Sequence, residues 1–246
     1  RPAAPAPVRF DCTDTEAAWL NALNPRESRW MTTGQCQNTL RFGSSLYVGH
    51  CGRVSERTMS ISTEKSVWAT GAAYEPYVGR WSRLVARDFI EWLAISPSAR
   101  WLDVGCGTGA LTETIVRHAN PLYVDGIDPS EGYLSLAREQ VRDARVRFNV
   151  GDARHLSAES ARYDAVVSAL VLNFIPDLPA GMAEMARVAH PGGVIAGYVW
   201  DYAEKMELMR YFWDAAVALK PEDLERDEGR RFPICKPGPL KDAFES

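Results

Sequence analysis

The sequence carries no excess of positive charge: 28 Lys and Arg stand against 32 Asp and Glu, a net charge of −4. A phosphate-backbone footprint is therefore missing, and a nucleic acid is not expected as a partner. There is no CxxC pair and no Cys/His cluster, and the five cysteines (Cys12, Cys36, Cys51, Cys106, Cys235) are odd in number and widely spaced. That speaks against a zinc site or a disulfide framework and fits a reducing cytoplasm. His50, His118, His155 and His190 share no spacing with a partner, so they read as structural or solvent-exposed. The longest largely apolar run, Ala165 to Leu172, is far too short to span a membrane and is closed by Asn173. No basic start followed by an apolar core marks a signal peptide.

What is present falls into three regions. Residues 1–58 open with RPAAPAP, hold seven arginines and no lysine, and carry three of the five cysteines. They show no sustained helix or strand period beyond a short helical piece near Glu16 to Leu23. Two readings stay open for them: sequence upstream of the natural start, with Met59 following directly, or a poorly ordered N-terminal extension. In residues 59–98 the apolar positions Trp81, Leu84, Val85, Phe89, Trp92 and Leu93 follow the i, i+3, i+4 rule, which predicts an amphipathic helix broken by Pro97.

From residue 99 strands and helices alternate. Strands are expected at 101–105, 122–128, 146–151, 163–170 and 194–200. Helices are expected at 109–119, 131–143 and 178–189, with Ser130 capping the second and Pro191-Gly192-Gly193 ending the third. Such alternation requires parallel pairing through right-handed crossovers, hence an α/β, doubly wound, mostly parallel sheet. A further helix is expected from about Lys205 to Leu219. Ligands of these sheets bind at the carboxyl ends of the strands, where strand order reverses.

At those ends stand Asp103 before a glycine turn (Gly105, Gly107, Gly109), then Asp128, then Asp152, spaced 25 and 24 residues apart. The glycines alone also satisfy a dinucleotide fingerprint through Gly105, Gly107 and Ala110. Asp128 fits either case, since an acid there accepts from ribose hydroxyls. Asp103 does not fit a pyrophosphate, which would set like charges together in a partly desolvated site. It suits a ligand that is positive near the glycine turn, such as a sulfonium bearing an amino-acid ammonium. Cys106 does not read as a nucleophile, and Asp164 reads as a turn residue.

The stretch WLDVGCGTG, with Asp128 and Asp152 at the next strand ends, resembles the class I S-adenosylmethionine-dependent methyltransferases. YEPYVGRWSRLVARDFIEWL, YDAVVSALVLNFIPD and PGGVIAGYVW are similar to small-molecule members of the ubiquinone/menaquinone-biosynthesis-like group. The likeness covers about Tyr74 to Phe232. It implies a Rossmann-like sheet of strand order 3-2-1-4-5 and S-adenosyl-L-methionine as cofactor. It also implies that Gly105, Cys106 and Gly107 line the methionine part and that Asp103 supports its ammonium. Asp128 would bind the ribose, Asp152 the adenine amino group, and the Ala153 N–H the ring, with Leu170 near the methionyl portion. The segment before the first strand covers the cofactor in this family, which brings in Tyr77 and Arg80, the latter either at the methionyl carboxylate or on a solvated helix face. Asn173 would face the acceptor.

Methyl transfer by in-line displacement asks the protein mainly to position the acceptor, worth about 7–11 kcal/mol. No catalytic residue is identified, since Asn173 is no base near neutral pH. The sequence lacks the NPPY-type motif of DNA amino-methylating enzymes and the Pro-Cys of cytosine C5 enzymes, which favours a small-molecule acceptor. A nicotinamide-dependent oxidoreductase and a catalytically silent fragment are the alternatives. The family's sheet ends in a C-terminal antiparallel strand pair, and nothing after Trp200 reads as one. The expectation is a core over 99–246 truncated at its C-terminus, with five strands and the VIAGYV edge uncovered.

Overall fold

The computed structural model describes residues 29–32, 44–50 and 80–245, of which 29–32, 44–50 and Arg80 are described by backbone alone. Two short strands come first, β1 (Arg29–Thr32) and β2 (Ser44–His50). Helix α1 (Arg80–Leu93) follows and stops where Ala94 turns left-handed (φ 50°), before Pro97 is reached. The alternating part runs β3 (Arg100–Val104), α2 (Ala110–His118), β4 (Tyr123–Asp128), α3 (Glu131–Gln140), β5 (Val146–Val150), β6 (Tyr163–Ala169), α4 (Leu178–Val188) and β7 (Ala189–Trp200). Helices α5 (Glu207–Leu219), α6 (Glu228–Arg231) and α7 (Pro237–Glu245) complete the described chain.

Strands β5-β4-β3-β6-β7 are parallel, which is the order 3-2-1-4-5 for the alternating units. Period-2 alternation divides the core between the two faces of this sheet. Trp101 packs with Phe89, Ile90, Leu111 and Ile115 from α1 and α2. Leu102 and Val104, one residue out of phase, pack with Met182, Met185 and Leu240 from α4 and α7. Asp103 shares the pleat side of Trp101, which aims it at α2. A fork from Arg100 to Asp164 (Nη2–Oδ1 2.7 Å, Nε–Oδ2 2.9 Å) ties the start of β3 to β6, so Asp164 is a strand clamp rather than a turn residue.

Two expectations are corrected. Pro191-Gly192-Gly193 does not end the helix but lies inside β7, as an irregularity between the pairs Tyr163–Ala189 and Ala165–Val194. The partner strand advances two residues there while β7 advances five, and Gly192 absorbs the bend at φ 85°. The β7 edge is also not bare. β2 pairs with it antiparallel from Ser44–Trp200 to His50–Val194, and β1 pairs with β2, giving a seven-stranded sheet. Among the described residues no strand follows Trp200, so this pair comes from within residues 1–58 instead. The rest of that segment lies outside the described residues.

Candidate functional site

The three acids stand at the carboxyl edge of the sheet, Asp103 next to the end of β3, Asp128 at the end of β4 and Asp152 two residues beyond β5. Asp103 is fully buried. Its Oδ2 accepts from the Thr112 hydroxyl at 2.6 Å, while its Oδ1 is buried with no hydrogen-bond partner. Burial pushes its pKa up to about 7, Thr112 pulls it down, and the nearby Asp128 charge pushes it up further. Thr112 reaches it from the first turn of α2 because helix side chains lean toward the N-terminus. An orphaned acceptor oxygen costs about 1–3 kcal/mol unless a ligand satisfies it.

Asp128 is almost fully buried at the end of β4. Its Oδ2 accepts the Gly107 N–H at 3.0 Å and its Oδ1 the Ser130 N–H at 2.8 Å, so it pins the glycine turn to the second loop. Desolvation raises its pKa, and those two backbone donors oppose the shift. Ser130 caps α3 as expected, accepting from the Tyr133 N–H at 3.4 Å. The third loop is joined on through the Gly151 N–H, which donates to the Asp128 carbonyl at 3.2 Å. Asp152 itself is held by Arg154, with Nη2 donating to Oδ2 at 2.6 Å and the backbone N–H to Oδ1 at 2.9 Å. That guanidinium lowers the Asp152 pKa to about 2 and keeps the carboxylate charged. Any donor that reaches Asp152 shares it with Arg154, a neighbour whose role no spacing rule singled out.

The glycines differ in purpose. Gly105 (φ 73°) donates its N–H to the Ile127 carbonyl at 2.8 Å, and a Cβ there would overlap the Val171 side chain. Gly107 (φ 53°) has nothing within 4 Å of the place its Cβ would occupy. The first glycine seats the β6 exit against the turn; the second leaves the turn open. Gly105→Ala is expected to cost about 2–3 kcal/mol of stability from strain and overpacking, measured by urea unfolding. Gly107→Ala is expected to fold with a cost of about 1–2 kcal/mol and to weaken ligand binding instead. Equal stability losses would refute this division.

Cys106 stands between Gly105 and Gly107 in the turn. Its side chain turns inward onto Leu134, Ala137 and Phe148, and its N–H is spent on the Ile127 carbonyl at 2.9 Å. The thiol pKa is pushed well up by burial, which leaves it neutral. Leu170, directly after β6, is left-handed (φ 60°), an unfavourable state for a residue with a branched side chain. Its N–H reaches the Tyr198 carbonyl at 2.7 Å, holding the exit of β6 against β7. Asn173 follows in a 3-10 turn (Leu172–Phe174), with its Nδ2 buried and unpartnered. Ala153 is half-buried beside Asp152. Tyr77 and the Arg80 side chain lie outside the described residues.

His118, His155 and His190 are exposed, and no group of metal-ligating side chains forms among the described residues. No helix among them is long and apolar enough to cross a membrane.

The acids, the open glycine turn and the sheet order meet in one known frame: residues 102–193 match the family model described as "Methyltransferase domain". Residues 102–193 are a methyltransferase domain, on a sheet with the strand order of the class I S-adenosylmethionine-dependent fold. Such domains use S-adenosylmethionine as methyl donor. The ubiquinone biosynthesis O-methyltransferase of Hahella chejuensis is 38% identical to it over 110 residues, covering 43% of this chain and 44% of that one. Methyltransferase GfsG of Streptomyces halstedii is 32% identical over 133 residues, covering 52% and 47%. The fold is shared with a protein of Methanococcus maripaludis assigned to the same fold family (TM-score 0.53, 19% identity, 76% of this chain and 87% of that one). The chain spans less than half the length of these two curated relatives.

Proposed function

We propose that the protein transfers a methyl group from S-adenosylmethionine to a small-molecule acceptor, and that Asp103, Gly105, Gly107, Asp128, Asp152, Ala153 and Leu170 form its cofactor site. The observation that carries this reading is the orphaned Oδ1 of the fully buried Asp103, behind a glycine turn with open space at Gly107. A cationic amino-acid group satisfies that oxygen; a pyrophosphate would meet repulsion. The same feature weighs against the nicotinamide alternative. S-adenosylmethionine supplies an already activated methyl carbon, so this chain's residues need only bind, orient and exclude water.

In this reading Asp103 receives the ammonium and Asp128 the ribose hydroxyls while holding Gly107 in place. Asp152, kept ionised by Arg154, accepts from the adenine amino group. Leu170 and Asn173 mark where the acceptor begins, on the β6–β7 side. The small-molecule class is supported by the acidic balance and by relatives named a ubiquinone biosynthesis O-methyltransferase and a demethylmenaquinone methyltransferase. A cytoplasmic location accords with the free, buried thiols of Cys106 and Cys235.

Calorimetric titration of the wild-type chain tests the reading. S-adenosylhomocysteine is expected to bind and NADH is not. Saturable NADH binding with no heat from S-adenosylhomocysteine would establish the oxidoreductase alternative.

A further inference from the structure

Among the described residues only two buried carboxylate oxygens lack a hydrogen-bond partner, Asp103 Oδ1 and Asp201 Oδ2. The first belongs to the cofactor site. The second lies directly after β7, on the same carboxyl edge of the sheet but on the far side of β6. Two strand spacings, about 10 Å, separate β3 from β7. Carried forward from the pair Ala169–Tyr198, the β6–β7 register brings Asp201 level with the turn that holds Asn173. Asn173 Nδ2 is also buried without an acceptor, so an unsatisfied donor and an unsatisfied acceptor stand at neighbouring strand exits.

Backbone N–H groups of residues 203–205, and no cationic side chain among the described residues, stabilise the charge of Asp201. It is 1% exposed, and Oδ1 accepts the Glu204 N–H at 2.9 Å, capping the turn into α5. Desolvation raises its pKa, and the Glu204 charge adds to this, against the backbone donors of residues 203–205. Its other titratable neighbour is the buried Cys235 thiol, itself pushed up to about 12 and neutral. No lysine or arginine pairs with it among the described residues. An unpaired buried carboxylate is expensive, and a cap alone needs only one of its oxygens.

An aromatic cluster includes the turn that carries Cys235. The Cys235 N–H bonds to the Phe232 carbonyl at 2.9 Å, which places Phe232 in the same turn as the thiol beside Asp201. The Phe232 ring meets Phe174 at 5.3 Å and Tyr202 at 6.3 Å, and Phe174 is 50% exposed. A flat small molecule packed on the exposed Phe174 would also lie beside the Phe232 ring.

We propose that Asp201 is the acceptor-side base of this site: its free Oδ2 accepts the hydrogen bond, and then the proton, of the acceptor atom that takes the methyl group. This rests on the methyl-transfer reading above. As the acceptor's lone pair closes on the methyl carbon, its X–H proton passes to Asp201 and the carbon–sulfur electron pair stays on sulfur. One cationic and one anionic charge are thereby neutralised together, which suits a carboxylate this deeply buried. Asn173 Nδ2 holds the acceptor atom's second lone pair.

The test uses the full chain labelled with 13C at its aspartate carboxyl carbons, with Asp201 assigned through its backbone, and phenol as a small neutral O–H donor. Phenol is expected to move the Asp201 carboxyl resonance and to leave those of Asp128 and Asp152 in place. Asp201→Asn keeps the oxygen that caps the turn and removes the charge. It is expected to weaken phenol at least ~10-fold and to leave S-adenosylhomocysteine affinity within ~2-fold. Phenol that does not bind, that binds without moving Asp201, or that binds Asp201→Asn as tightly would overturn the proposal. Should S-adenosylhomocysteine fail to bind the wild type, the cofactor reading falls, and the phenol titration of the ligand-free chain still decides whether Asp201 faces an acceptor.

Discussion

Replacing Asp128 with alanine is expected to weaken S-adenosylhomocysteine binding by at least about 100-fold while the chain stays folded. Each hydrogen bond between a ribose hydroxyl and a buried carboxylate is worth about 1.5–3 kcal/mol, and two of them multiply to about 10²–10⁴. A second loss adds to the first. Asp128 Oδ2 and Oδ1 hold the Gly107 and Ser130 N–H groups, and without them the glycine turn is no longer tied to the exit of β4. Stability is expected to change little, because burial already penalises the Asp128 charge and its removal offsets part of the lost hydrogen bonding.

Asp128→Asn separates the two contributions. Both carboxylate oxygens face backbone N–H donors, and a carboxamide can accept from only one of them. It should therefore bind S-adenosylhomocysteine more weakly than wild type and more tightly than alanine. Calorimetry on the three proteins checks this order; alanine and wild type binding alike would remove Asp128 from the cofactor site.

The strand-end acids were legible because they depend on local period. A five-residue apolar run, a glycine turn and an amphipathic helix are each decided within about a dozen neighbouring residues, so Asp103, Asp128 and Asp152 could be placed at one edge before any coordinates. What escaped was what distant segments decide. Antiparallel pairing of Ser44–His50 with β7 joins residues about 150 positions apart, and nothing in either stretch names the other. The inward turn of Cys106 follows from Phe148 and α3 closing over it. Pro191-Gly192-Gly193 looked like a stop because turn residues serve helix ends and strand irregularities equally well. Asp201 directly follows β7, yet no short window shows that its Oδ2 is buried without a partner. Only the first kind of information is carried in short windows.

Binding of S-adenosylhomocysteine is expected to tighten nearly 10-fold per pH unit from pH 5 to about 7 and then level off, for a reason that lies in Asp103. Its pKa in the ligand-free fold is raised to about 7, against an ordinary 3.8, so the native state keeps a proton that the unfolded chain has lost. The stability of the ligand-free protein therefore falls as pH rises from about 4 to about 7, by on the order of 4 kcal/mol if Asp103 acts alone. The ligand's ammonium needs the opposite state, the ionised carboxylate. That state is about 1% populated at pH 5 and about 90% at pH 8 for a group of pKa about 7. Binding must then release about half a proton at pH 7, read as a dependence of the calorimetric enthalpy on the ionisation heat of the buffer. Asp103→Asn should abolish both the slope and the proton release, and should make the ligand-free fold more stable above pH 7. Thr112→Val, which removes the hydroxyl at 2.6 Å that favours the charged form, should carry the break to higher pH. Asp128→Ala, which removes a repelling charge, should carry it lower in whatever binding persists. An affinity that stays flat from pH 5 to 8 would mean that Asp103 does not change its proton on binding, and the ammonium would then have to be satisfied elsewhere on the sheet edge.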